Sequence, residues 1–329
     1  MIIKKIKNYM KEPSYPGLYW RKDTFDGAES YLKYSYAINV LEMKKRKRIL
    51  SKLFNINPLF FLPKEKGFVR ADFSSHHVLR RAVDRCNEVI DRWLAEGSLE
   101  NQKGVAKQFL RNIDIPKENS DNSPIYEFAL SREVIKSVAD YLGVLPILLQ
   151  AKIWYSPNTD FLGRSQLYHI DHADFRQVKL FVCLDDVDMS SGPLNAVPAN
   201  VSRKAFASLL SQHLISSRNT KVEDDLLIET AEGDYGVFMT GKKYEAAIVD
   251  TSQCYHYGSR PPCDGTGKPR KILFLQYTTP FPSNMPLFGR KRVSINFPFL
   301  SKPEDRDLVD MVLGYTHHMY LKGKLEEAA

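Results

Sequence analysis

The hydrophobic pattern of this chain changes period near Leu145, and no other feature restricts its fold as much. Upstream, apolar residues recur at helical spacing. Leu79, Val83, Cys86, Val89, Ile90, Trp93 and Leu94 form one stripe that Gly97 stops, which predicts a helix from Ser74 or Ser75 to about Glu96. Residues 100–123 are polar and read as a loop. A second helix starts at Ser131, a good N-cap, carries Val134, Ile135, Val138 and Leu142, and stops at Gly143. Downstream, short apolar or alternating runs are separated by Gly, Pro, Asn and Asp, the pattern of strands and turns. The runs span about 147–155, 166–171, 177–184, 194–197, 236–239, 246–249 and 271–278. A helical insertion at about 202–217 parts the fourth from the fifth. Residues 304–325 read as a C-terminal helix, with Leu308, Met311, Val312 and Tyr315 at helical spacing. Helices first and then seven or more strands place the chain in the α+β class, around a sandwich or barrel.

With 329 residues, 43% of them hydrophobic, the chain can bury a sizeable core as one large domain or as a domain with an extension. No run reaches the roughly 18 apolar residues of a membrane-spanning helix. Met1 to Lys7 interleaves lysines with apolar residues and lacks the h-region of a secretory signal. Cys86, Cys183, Cys254 and Cys263 are irregularly spaced and fit neither a disulfide framework nor a zinc cluster, so a cytoplasmic location is expected.

The net charge of +8 is concentrated at one end. Residues 1–66 carry fifteen Lys or Arg against six Asp or Glu, and the remaining 263 residues sum to −1. This division marks 1–66 as a basic N-terminal extension and 67–329 as the main domain. The extension reads as two short helical stretches around an aromatic-rich loop with Tyr15, Tyr19 and Trp20. Within it, Lys44-Lys45-Arg46-Lys47-Arg48 precedes Ile49, Leu50, Leu53, Phe54 and Leu59-Phe60-Phe61-Leu62. One reading is a solvated helix face whose apolar residues dock on the domain. The other is peripheral contact with an anionic membrane surface. No nucleic-acid reader module accompanies the charge, so nucleic acid is not an expected partner.

The chemistry-bearing pattern lies in the strand-rich part. His169 and Asp171 are two apart, so on a strand they point the same way, and His256 follows a later strand. Two imidazoles and one carboxylate are the set that holds ferrous iron on one triangular face and leaves the other open. Oxygen activation at such a metal draws electrons from a co-substrate. The commonest, 2-oxoglutarate, needs a cation for its distal carboxylate, and Arg270 at the start of the last strand can supply one.

At these residues the chain resembles the phytanoyl-CoA dioxygenase family of iron(II)/2-oxoglutarate oxygenases. The likeness includes Asp140-Tyr141-Leu142-Gly143, His169-Ile170-Asp171, Lys179 to Leu184, Asp186-Val187, Ser191-Gly192-Pro193-Leu194, Val197-Pro198, Asp250-Thr251, His256 to Ser259 and Arg270-Lys271. The resemblance implies a double-stranded β-helix, a jelly-roll or cupin-like barrel with flanking helices, over about 145–282. It implies His169, Asp171 and His256 as iron ligands, and Arg270 on the 2-oxoglutarate C5 carboxylate, with Arg260 as the rival anchor. Ser259, Lys179, Phe181, Gln166 and Trp154 are candidates to line the co-substrate pocket. Two departures are the long loop Pro261 to Pro269 and the stretch Pro198 to Lys204, where family members often carry a Gly-Ser-His turn. The activity implied is hydroxylation of an unactivated carbon with O2, releasing succinate and CO2, on a small-molecule, lipid or glycan-type substrate that the basic segment suggests is anionic or membrane-associated. Related halogenases replace the carboxylate ligand with a small residue, and Asp171 retains it. The alternatives are a cupin-like module that binds metal or ligand without turnover, and a peripheral membrane protein acting through residues 1–66.

Overall fold

A computed structural model describes residues 35–37, 39–98, 109–115, 120–158, 166–216, 219–262, 266–282 and 305–313. The aromatic-rich loop with Tyr15, Tyr19 and Trp20 lies outside the described residues. The helices are α1 Val40–Ser51, α2 His77–Ala95, α3 Ser123–Ala129, α4 Arg132–Leu142, α5 Ala199–Ser211, α6 Asp224–Ala231 and α7 Arg306–Leu313. The strands are β1 Phe68–Asp72, β2 Arg111–Asp114, β3 Ile147–Ser156, β4 Gln177–Cys183, β5 Asn195–Ala196, β6 Val237–Phe238, β7 Glu245–Val249, β8 His256–Tyr257 and β9 Arg270–Thr278.

Local chemistry sets most helix ends. The Ser131 hydroxyl accepts from Val134 N at 3.4 Å at the start of α4, and Gly143 ends it with φ of 74°. The start of α2 differs from expectation. His76 is its cap, with Nδ1 accepting from Leu79 N at 3.3 Å, while Ser74 N is held by Asp72 Oδ1. The stretch 100–123, read as a loop, contains the strand β2, and α3 starts at its end with Pro in its first turn and buries Ile125, Tyr126 and Phe128. Of the expected C-terminal helix the described part is α7; the rest lies outside the described residues.

Two antiparallel sheets result. The larger has the order β1-β7-β4-β9-β3-β2 and the smaller β6-β5-β8. Sequence reading missed β1 and β2 because they are short edge strands, and the expected strands at 194–197 and 236–239 shrink to the two-residue β5 and β6. Residues 166–171 form no regular strand. They make single bridges, Tyr168 to Val222 and His169 to His256.

The large sheet is covered on both faces, which is why β4 and β9 read as nearly unbroken apolar runs. On one face Val178, Leu180, Val182, Leu273 and Leu275 pack with Leu79, Val83, Ile125, Val134 and Val138 from the helices. On the other, Phe181, Ile272, Phe274, Ala247 and Val249 pack with Leu194, Ala196, Met239 and Cys254 around the small sheet. The candidate site opens between the two sheets. The described part of the basic segment joins the helical layer, where Ile49, Leu53, Phe60 and Leu62 are buried in the same core. No helix among the described residues is long and apolar enough to cross a membrane.

Candidate metal centre

His169 and His256 are brought together by the backbone. They face each other as an antiparallel bridge, with His169 N donating to His256 O at 3.0 Å and His256 N to His169 O at 3.1 Å. Directly opposed residues of such a pair project to the same side, and the two rings lie 4.4 Å apart between centroids. Ile170 turns the other way and is buried against Tyr168, Val197 and Phe206. Asp171 therefore returns to the side of His169. The turn is held at three points: Asp171 N donates to Thr251 O at 2.9 Å, Ile170 N to Thr220 Oγ1 at 3.2 Å, and that hydroxyl to Ile170 O at 3.1 Å. The alternation expected of a strand is thus present without a strand.

One ligand atom from each of His169, Asp171 and His256 lies within 4.8 Å of the other two. Asp171 Oδ2 is 3.4 Å from His256 Nε2, and its Oδ1 is 3.9 Å from His169 Nε2. On the far side of each ring, Nδ1 lies 2.8 Å from Leu167 O for His169 and 3.0 Å from Cys254 O for His256. A carbonyl can only accept, so each Nδ1 carries the proton and each Nε2 offers a lone pair toward the shared point. Burial, and then His256, pull the His169 imidazole down to about 4, which keeps it neutral at pH 7. Burial pushes the Asp171 carboxyl up, but Lys179 and then the two imidazoles outweigh it and hold it well below the usual range. Two imidazoles and an ionised carboxylate fit a divalent cation of borderline hardness.

Lys179, expected to line a co-substrate pocket, is placed on the triad. Its Nζ lies 2.5 Å from Asp171 Oδ2 and sits 5.6 Å from the centre of the Phe274 ring. Phe181, Trp154 and Phe274 make an aromatic wall on the inner face of the large sheet, with Trp154 stacked on Phe274 at 3.8 Å.

Arg270 also enters the space between the sheets, on the inward register of β9 with Ile272 and Phe274. It is 7% exposed, donates from Nη1 to Gly192 O at 2.7 Å and from Nη2 to Ser259 Oγ at 2.6 Å, and leaves Nε without a partner. No carboxylate pairs it among the described residues. Burial lowers its guanidinium to about 10, with Cys183 opposing, so it is charged at neutral pH. Arg260 is different in kind. It forms two bonds to Asp224, at 2.6 and 3.0 Å, donates to Gln166 O at 2.7 Å and stacks on Tyr257 at 3.4 Å. Ser259 Oγ also bonds Ser156 Oγ at 3.0 Å, and the Gln166 amide donates to Ser259 O.

Two residues that shape the site, Thr220 and Asp224, carried no readable signal in the sequence. Thr220 and Thr251 clamp the His169–Asp171 turn from distant segments, and Asp224 neutralises Arg260. Gly192 did carry one, within the likeness at Ser191-Gly192-Pro193-Leu194, but its service to the site is visible only in three dimensions. Its φ is +59°, a Cβ there would lie 2.7 Å from Arg260 N, and its carbonyl receives both Arg270 Nη1 and Ser259 N.

No family model and no curated protein matches the chain. Solved structures overlap it in part. HygX from Streptomyces hygroscopicus, solved with nickel and 2-oxoglutarate bound, is 13% identical, covering 66% of this chain and 84% of that one with a TM-score of 0.45. EctD from S. alaskensis with bound Fe is 18% identical, covering 69% and 79%, with a TM-score of 0.44. SnoN, a non-heme alpha ketoglutarate dependent epimerase from nogalamycin biosynthesis, is 11% identical, covering 73% and 87%, with a TM-score of 0.42. These overlaps concern the path of the backbone; what this chain binds is set by its own side chains.

Proposed function

We propose that the chain is a cytoplasmic iron(II)- and 2-oxoglutarate-dependent oxygenase, its two sheets forming a double-stranded β-helix, and that it hydroxylates a carbon of a small-molecule, lipid or glycan-type substrate. One observation carries the reading. A His-Asp-His group with both Nε2 atoms turned toward Asp171 shares the space between the sheets with a buried guanidinium that no acid pairs among the described residues. An uncompensated buried cation costs several kcal/mol, and a carboxylate from a bound molecule would offset that cost.

In this reading His169, Asp171 and His256 hold the metal. Iron(II) with 2-oxoglutarate would supply O2 activation there, coupled to release of succinate and CO2. Lys179 fixes one oxygen of Asp171, so the carboxylate has a defined direction toward the shared point. Arg270 and Ser259 receive the distal carboxylate, through the fork geometry that suits two oxygens. Trp154, Phe181 and Phe274 keep water from the inner wall. The retained Asp171 favours hydroxylation over halogenation.

Anaerobic calorimetric titration of the cobalt-loaded protein with 2-oxoglutarate tests the proposal. Binding is expected, and Arg270→Leu should weaken it about 100-fold, the scale of truncating one partner of a buried charge pair. Slow succinate release without added substrate, in the iron-loaded protein, separates an enzyme from a cupin-like module that only binds. Failure of the metal-loaded protein to take up 2-oxoglutarate would overturn the assignment.

A further inference from the structure

We infer that the outward face of α1 is a docking surface for an anionic lipid bilayer. The helix is seated by an unusual inward residue. Arg46 is fully buried within the basic run, donating to Leu145 O at 2.9 Å, Pro146 O at 3.2 Å and Met311 O at 3.0 Å. Its Nε holds Glu42, the only acid of the helix, at 2.8 Å. Ile49 and Leu53 complete the inward row. By helical spacing the rows Val40, Lys44, Lys47, Ser51 and Leu41, Arg48 then face out; these six residues, and Lys52 and Phe54 in the turn that follows the helix, are all exposed.

This face has one sign of charge. Among the described residues no acid pairs Lys44, Lys47, Arg48 or Lys52. Leu41 and Phe54, at opposite ends of the cationic patch, are 79% and 83% exposed. Cations at headgroup level flanked by apolar side chains that can enter the acyl boundary are what an interfacial helix requires. A nucleic acid would use the four cations and leave Leu41 and Phe54 in water. The Arg46 clamp holds the face in one orientation, so docking requires no folding step. The surface is separate from the candidate metal centre and does not depend on that assignment.

Co-sedimentation of the full chain with phosphatidylcholine vesicles, with and without phosphatidylglycerol, tests this. Binding is expected only with the anionic lipid, and it should fall as salt rises. The double variant Lys44→Glu, Lys47→Glu should lower the partition coefficient at least about tenfold. Phe54→Ser should lower it by about threefold to tenfold while leaving its salt dependence intact. Far-UV circular dichroism and thermal unfolding of each variant report that the fold is retained. A control with Lys4, Lys5 and Lys7 changed to Ser should bind as the unmodified chain does. Equal binding to neutral vesicles, full binding by the double variant, or loss of binding in the control would each overturn the proposal. So would displacement of vesicles by a short DNA duplex together with no effect of Phe54→Ser.

Discussion

On β4, Val178, Leu180 and Val182 point toward the helices and are 0% exposed, whereas Lys179, Phe181 and Cys183 point toward the small sheet. β9 divides the same way, with Leu273, Leu275 and Tyr277 on the helical side and Arg270, Ile272, Phe274 and Gln276 inward. The helix-facing set is hydrocarbon apart from Lys271 at the start of β9, which pairs Asp185 at 3.1 Å, and one tyrosine hydroxyl, which donates to Ala129 O at 2.7 Å. The inward set holds one lysine paired with Asp171 and one arginine with no acid beside it among the described residues. One face of a strand can thus supply the apolar burial that folds the domain, which frees the other to carry groups that are costly to bury and useful to a ligand.

The sharpest way to break this contrast is to remove a group from the inner side and ask what is lost. His256→Ala should abolish measurable divalent-metal binding, a loss of at least about 100-fold by calorimetry, while the metal-free protein keeps its far-UV circular dichroism. The reciprocal change is on the helical side. Leu180→Ala should lower unfolding stability by about 3 kcal/mol in denaturant titration and leave the metal affinity of the folded protein nearly unchanged. If Leu180→Ala instead loses metal while keeping its stability, the division of labour between the faces is wrong.

A third test concerns the buried support under the Asp171 turn. Asp250 receives Tyr141 Oη at 2.7 Å and Ser252 N at 2.9 Å, and the neighbouring Thr251 O receives Asp171 N. Burial raises the Asp250 carboxyl to about 7, although bonds from Tyr141, Ser252 and Gln177 oppose it. Its folded pKa exceeds the unfolded one, so the folded state binds the proton more tightly. The resulting stability is fully present below the ordinary carboxyl value of 3.8 and is lost as pH rises through about 7. Relative to Asp250→Asn, the unmodified metal-free protein should therefore lose roughly 3 kcal/mol of unfolding stability between those limits. A flat difference would remove Asp250 from this role. The smallest expected effect is at Lys179. Lys179→Met should weaken metal binding about tenfold, and Lys179→Arg should recover part of it.

Much of this was legible in one dimension because the relevant signals are local. The periodicity of α2 and the cap and stop of α4 needed no tertiary information. The pair His169 and Asp171 could be read from spacing, although the reason differed: a clamped turn at Ile170, and no strand, puts them on one side. The edge strands β1 and β2 were not legible, since four or five residues with mixed polarity acquire strand geometry only from a neighbour. Nor was the inward turn of Arg46, which in sequence is one of five consecutive cations.

The sequence by itself determined which side chains can coordinate a metal and where the apolar faces repeat, because residue type and spacing are properties of neighbours along the chain. Only the tertiary structure decided that Arg260 is neutralised by Asp224 while Arg270 has no acid beside it among the described residues. Two guanidiniums ten residues apart are chemically identical until folding places, or fails to place, a distant carboxylate beside each.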